Sequence, residues 1–319
     1  MHRSASPFTP WFRLASLLVV SFAALGSTVA RPPSPDQDSK APAIALRQSA
    51  VAGDAEAQYQ LGYAFLWDKQ PDYASALSWL RSSAEKHFAP AQFLLGYLYE
   101  HGRGVPLDYV KAAENYRTAA AQGHPGAENN LGGLYQYGRG VPKDMNRAFE
   151  YYRSAAQGGN PVGQYNVATF YHLGYATAPD LAEAAKWFRA SAEQGFAPAQ
   201  AVLALFYFKG TGLPVDYAET AHWSKLAAEQ GLPHAAMNYA YLCEHGQGVP
   251  VDYFAAYLWY SRAVAAGDPL GAKHLKSLSH HLTRAQIDQV KSEIAANGTP
   301  PEQQAATAAN ADVSLIENP

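Results

Sequence analysis

Apolar and small residues recur along the chain at helical spacing, in blocks separated by Gly, Pro and Asp. In the clearest block, Ala91-Gln92-Phe93-Leu94-Leu95-Gly96-Tyr97-Leu98-Tyr99 reads as one helix. A second helix follows Asp108 and carries Ala112, Tyr116 and Ala120. The block then repeats. Aspartate stands at Asp72, Asp108, Asp144, Asp180, Asp216 and Asp252, always 36 residues apart. Four positions after each come Ala76, Ala112, Ala148, Ala184, Thr220 and Ala256. Such register over six copies is the mark of a repeat architecture.

Each unit resolves into two helices, A and B. Helix A opens near Pro90, Pro125, Pro161, Pro198 or Pro233, where the missing N–H is not needed. Gly102, Gly138, Gly174, Gly210 and Gly246 close it. The periodic Asp is predicted to cap helix B by accepting free N–H groups of its first turn. Asp180 with Glu183, Asp216 with Glu219 and Thr283 with Gln286 have capping-box spacing. One hairpin cannot bury its own apolar face, so neighbouring hairpins must stack. The expected fold is all-α, an α-solenoid of antiparallel helix pairs.

The ends of the chain read differently. Residues 1–30 have the pattern of a signal peptide, with His2, Arg3 and Arg13, an apolar run from Leu14 to Leu25, and small residues at Thr28-Val29-Ala30. Residues 31–42 form a Pro-rich linker, and 43–54 an N-terminal half-repeat that acts as a capping helix. Six repeats fill 55–268, two capping helices fill 269–296, and 297–319 reads as a disordered tail.

The pattern A-x-x-x-L-G-x-x-Y…G-x-G-V-x-x-D-x-x-x-A…Y…A-A-x-x-G, clearest from Ala91 to Gly123, resembles the Sel-1-like repeat family, relatives of the tetratricopeptide repeat. The resemblance implies a right-handed superhelix. It also implies an adaptor that gathers other proteins, and many bacterial members are exported. Gly174-Tyr175-Ala176 departs from the family's Gly-x-Gly turn, and Ala168, Ala204 and Ala240 replace the helix A glycine.

Composition narrows the function. The 319 residues hold 24 Lys+Arg against 27 Asp+Glu, a net charge of −3, which lacks the positive footprint of a nucleic-acid binder. Signal cleavage would remove Arg3 and Arg13, so 22 basic residues would face the 27 acidic ones. The single Cys243 excludes a disulfide framework and multi-cysteine metal sites. It stands in the column of Tyr99, Tyr135 and Tyr171 and reads as a core substitution. His274, His280 and His281 lack ligand spacing, so no metal and no cofactor are expected. There is no G-x-S-x-G, H-E-x-x-H or P-loop, and the chain reads as no enzyme.

In tetratricopeptide-type solenoids helix A lines a concave groove. The matching columns here hold Asn130, Asn166 and Asn238, then Tyr63, Tyr97 and Tyr241, then His101 and Tyr137. A carboxamide can pair with a peptide backbone, and Tyr offers rigid contact area with a polar handle. The same Asn and Tyr residues could instead bond to the next hairpin. The expectation is an exported, monomeric, non-enzymatic scaffold, periplasmic or extracellular, binding a peptide or protein partner. Nucleic acid is not expected, nor a membrane span after signal cleavage. The alternative is a cell-wall-related or β-lactam-binding hydrolase on the same solenoid, and a third reading is a spacer with no specific ligand.

Overall fold

A computed structural model describes residues 40–297. The expected signal peptide, most of the Pro-rich linker and nearly all of the expected tail therefore lie outside the described residues. The described residues fall into two compact units, divided within one helix after Val167. The N-terminal unit holds α1 (Lys40–Val51), α2 (Ala55–Leu66), α3 (Tyr73–Glu85), α4 (Ala89–His101), α5 (Tyr109–Ala120), α6 (Pro125–Tyr137), α7 (Met145–Gln157) and the start of α8 (Pro161–Leu173). The C-terminal unit holds the rest of α8, then α9 (Leu181–Glu193), α10 (Ala197–Lys209), α11 (Tyr217–Glu229), α12 (Pro233–His245) and α13 (Tyr253–Ala265). It ends with α14 (Gly271–Leu278), a 3₁₀ turn (Ser279–His281) and α15 (Arg284–Asn297). Among the described residues there is no strand. Consecutive helices pair, α2 on α3, α4 on α5 and α6 on α7, and likewise α10 on α11 and α12 on α13. The fold is a solenoid of helix pairs.

The first helix begins earlier than the sequence suggests, at Lys40 inside the Pro-rich stretch. Pro42 falls in its first turn, where a missing N–H disturbs no helical bond. All six periodic aspartates cap helix B. Asp108, for example, accepts from the N–H groups of Val110 and Lys111 at 3.1 and 3.0 Å, and Asp72, Asp144, Asp180, Asp216 and Asp252 do the same work. The full reciprocal box forms only at Thr283, whose N–H donates to Gln286 Oε1 at 2.9 Å while Gln286 N–H returns to Thr283 Oγ1. Glu183 and Glu219 lie at the right spacing but turn their carboxylates to Lys186 and to the Trp223 indole.

Hairpins close where a large helix B side chain seats on a small helix A residue, as with Leu80 on Gly62, Tyr116 on Gly96 and Tyr152 on Gly132. A β-carbon on Gly96 would lie 2.6 Å from the Tyr116 ring, and one on Gly132 would lie 2.9 Å from Tyr152. Where alanine replaces this glycine, at Ala168, Ala204 and Ala240, the position is still buried. The A–B turn has a second tight point. Gly140 has φ +67°, and a β-carbon there would come within 2.2 Å of the Tyr109 carbonyl oxygen. Ala176 takes the corresponding place in its own turn at φ +57°, a region that L-residues enter at a cost of about 1–2 kcal/mol.

Two outcomes are expected from urea unfolding. Gly140→Ala should lower stability by about 2–4 kcal/mol, since left-handed strain and overpacking combine. Ala176→Gly should raise it by about 0.5–1 kcal/mol, the relief of strain less the extra freedom of the unfolded chain. The caps add a pH dependence. Its bond from the Ser75 hydroxyl, then the Ser75 N–H, hold the Asp72 carboxyl below its ordinary value of 3.8. The Lys111 N–H chiefly does so for Asp108. A depressed carboxylate contributes stability that is full above its unfolded pKa and lost as pH falls through the folded one. A melting series from pH 6 to 2 should therefore lose less stability below pH 4 in an Asp72→Asn, Asp108→Asn variant than in the parent.

Candidate functional site

The helix A columns divide into a buried polar layer and an exposed aromatic face. In the N-terminal unit the buried layer is a chain of hydrogen bonds. The Tyr116 hydroxyl donates to Glu100 Oε2 at 2.6 Å and accepts from Asn130 Nδ2 at 3.0 Å. Asn129 Nδ2 donates to Asn130 Oδ1 at 3.2 Å, and Asn166 Nδ2 to Asn129 Oδ1 at 2.9 Å. Asn130 is 7% exposed and Asn166 is 0% exposed. Burial raises the Glu100 carboxyl, against the bond from Tyr116 and the charges of His101 and Arg139. Burial also pushes the Tyr116 phenol well above its ordinary 10.0. Two of the three candidate asparagines thus lie inside the scaffold, bonded across hairpins.

A rule runs through this layer. Three positions recur at the hairpin junctions: one on helix A, one on its own helix B, and one on the next helix A. At the first they are Leu66, Leu80 and Leu94, spaced 14 and 14 because that A–B turn is two residues shorter; in the later ones, spaced 16 and 14, they are Glu100, Tyr116 and Asn130, then Gln136, Tyr152 and Asn166. The C-terminal unit has His172, Phe188 and Val202, then Phe208, Ser224 and Asn238, then Glu244, Tyr260 and His274. Tyr152 donates to Gln136 Oε1 at 2.7 Å and Tyr260 to Glu244 Oε2 at 2.8 Å. So a helix B tyrosine (Tyr116, Tyr152 or Tyr260) goes with an acceptor 16 residues before it and a polar residue 14 after. Ser224, between Phe208 and Asn238, departs from this, and its buried hydroxyl has no partner among the described residues. A wholly apolar Leu80 goes with leucine on both sides. The polar set places donors opposite acceptors, which buried polar groups require.

His274 occupies the asparagine column. Its ring stacks on Tyr260 at 4.5 Å, and its Nδ1 lies 2.9 Å from Glu244 Oε2. Burial works to raise the Glu244 carboxyl, but the bonds from His274 and Tyr260 outweigh it and hold it below 4.5. His281 stacks on Tyr253 at 4.3 Å. Among the described residues no group of three His, Cys, Asp or Glu could hold a metal ion. Cys243 is buried, and burial pushes its thiol up, away from the thiolate a nucleophile needs.

The exposed face belongs to the tyrosine and histidine columns. In the N-terminal unit Tyr63 packs on Trp67 with ring centroids 6.0 Å apart, and Tyr97 stacks on His101 at 4.3 Å. Arg103 joins the two pairs, its guanidinium 4.9 Å from the Trp67 ring and its Nη1 3.4 Å from the Tyr97 hydroxyl. Arg139 lies 5.2 Å from the Tyr137 ring. Trp67 is 42% exposed and Tyr137 44%. Trp67 stands in the sequence column of His101 and Tyr137. Arg103 and Arg139 were not among the sequence candidates, because they lie in turns beyond any helical column. In the C-terminal unit Tyr241 stacks on His245 at 4.1 Å, and Asn238 is half-buried one turn before.

A face of this kind on stacked helix pairs defines a repeat scaffold whose contacts lie along helix A. The chain belongs to the Sel1 repeat family: the family model matches residues 55–88, 89–124, 125–160, 161–196, 197–232 and 233–268. Its fold is similar to a protective antigen of uropathogenic Escherichia coli with an SLR fold, at TM-score 0.70 and 26% identity over 86% of this chain and 64% of that one. The chain thus spans under two thirds of that antigen. It is also similar to a Sel1 repeat protein from Oxalobacter formigenes, at TM-score 0.61 and 27% identity over 82% of this chain and 99% of that one. No curated protein matches it.

The junction rule predicts compensation. Tyr116→Phe alone should cost about 1–3 kcal/mol, because Glu100 and Asn130 lose a buried partner. Adding Glu100→His and Asn130→Val copies the His172–Phe188–Val202 junction. Chemical denaturation should show the triple variant regaining at least half of that loss.

Proposed function

We propose that this chain, as a Sel1 repeat protein-interaction scaffold, is exported and non-enzymatic and binds an extended peptide or protein segment on the helix A face of its N-terminal unit. Tyr63, Trp67, Tyr97, His101 and Tyr137 would supply the contact. A second face in the C-terminal unit carries Tyr241, His245 and Asn238. The observation that carries the reading is the exposed Trp67 with the half-buried Arg103 laid on its ring and bonded to the Tyr97 hydroxyl. Large rigid rings and arginines at a solvent-facing surface are the side chains that dominate binding energy at interfaces. Asn130 and Asn166 then act as supports, since their amides already bond across hairpins.

Export is supported by the apolar run Leu14–Leu25 between Arg13 and Thr28-Val29-Ala30. Among the described residues no helix is long and apolar enough to cross a membrane. The non-catalytic reading rests on how the titratable groups are used. Glu100 and Glu244 are tied to tyrosine hydroxyls, and Cys243 is buried.

Both parts can be tested. Mass spectrometry of protein recovered from the envelope should show a mature chain starting at Arg31; an intact N-terminus there would contradict export by cleavage. Trp67→Ala, Tyr97→Ala and Tyr137→Ala together should abolish capture of envelope partners with the melting temperature kept within a few degrees. An Asn238→Ala variant should leave capture by the N-terminal face intact. Turnover of a cell-wall or β-lactam substrate by the purified protein would contradict the non-enzymatic reading.

A further inference from the structure

The aromatic face carries a charge pattern of its own. Arg103 and Arg139 stand one repeat apart, each laid against aromatic rings, Trp67 for the first and Tyr137 and Tyr109 for the second. Arg147, Arg262 and Arg284 pair with Asp144, Glu293 and Asp288. Among the described residues Arg103 and Arg139 form no ion pair with a carboxylate. Glu100 feels the charge of Arg139, and its oxygen accepts from the Tyr116 hydroxyl at 2.6 Å. Asp68 and Lys69, adjacent in the turn beyond Trp67, offset each other. The face is therefore locally positive on a chain whose net charge is −3.

Stacking on a ring holds a guanidinium by its flat surface and leaves its N–H edge directed along the plane, the edge that takes a carboxylate through two parallel bonds. Arg103 and Arg139 follow α4 and α6, the A helices of successive repeats, so one extended segment lying across both can offer a carboxylate to each. Two cations are too few for a nucleic acid, whose specific complexes engage about 6–10 phosphates.

We propose, building on the peptide-binding reading above, that the helix A face of the N-terminal unit selects an acidic extended segment. Two of its carboxylates meet Arg103 and Arg139, and an aromatic or apolar residue of the same segment lies on Trp67 and Tyr97.

The test is selection from a displayed library of random twelve-residue peptides on the full chain, run in parallel on an Arg103→Gln, Arg139→Gln variant and on Trp67→Ala. Circular dichroism melting confirms that each variant is folded. The expected result is enrichment of segments that carry two or more Asp or Glu together with an aromatic or apolar residue. Their synthetic versions should bind about tenfold more weakly for each arginine removed, and more weakly again as salt rises. Enriched segments that lack acidic residues, bind the double glutamine variant unchanged and fail on Trp67→Ala would overturn the acidic selection and leave peptide binding standing. No enrichment on the parent chain would count against both.

Discussion

A helix B side chain seated on a helix A backbone is the contact on which the rest of the molecule depends. Tyr116 over Gly96 and Tyr152 over Gly132 set how closely the two helices of a hairpin approach. A fully buried ring of this size contributes a few kcal/mol, more than any single cap or turn. Its position also decides which residue of the next helix A it meets. The Asp caps and Gly-x-Gly turns fix where each helix starts and stops, and the seated ring fixes what lies between hairpins.

That ring explains the asparagines. A tyrosine buried at this point brings a hydroxyl into a closed space, and an unpaired hydroxyl there is costly. Glu100 on one side and Asn130 on the other satisfy it in the N-terminal unit. Glu244 and the stacked His274 surround Tyr260 in the C-terminal unit. Where helix B offers Leu80 or Phe188, the following helix A offers Leu94 or Val202. The carboxamides thus serve the scaffold, and the proposed recognition falls to the rings further along helix A, of which Trp67 and Tyr137 are exposed.

Much of this was legible in the sequence. The 36-residue register of the aspartates located every helix B, because a cap needs one residue type at one place. The six repeats and the all-helical architecture followed from the same columns. Capping-box spacing misled at Glu183 and Glu219, whose carboxylates found Lys186 and Trp223 instead. The candidate columns could be read from the sequence, but their burial could not. Asn130 and Tyr97 stand three residues from equivalent helix positions, and only the seated ring of Tyr116 shows that one column turns inward. The pairing at 16 and 14 residues was present in the sequence and goes unseen when columns are read one at a time. Arg103 and Arg139 sit in turns, so helical spacing could not assign them to the helix A face.

The central claim is that recognition belongs to the exposed rings and that the buried asparagines support them. NMR titration of the full chain with a bound peptide separates the two groups of residues. The account predicts large shifts at the Trp67 indole and at the rings of Tyr97 and Tyr137, with the side-chain amide signals of Asn130 and Asn166 almost unmoved. Large shifts of those two amides, with the Trp67 indole unchanged, would contradict it.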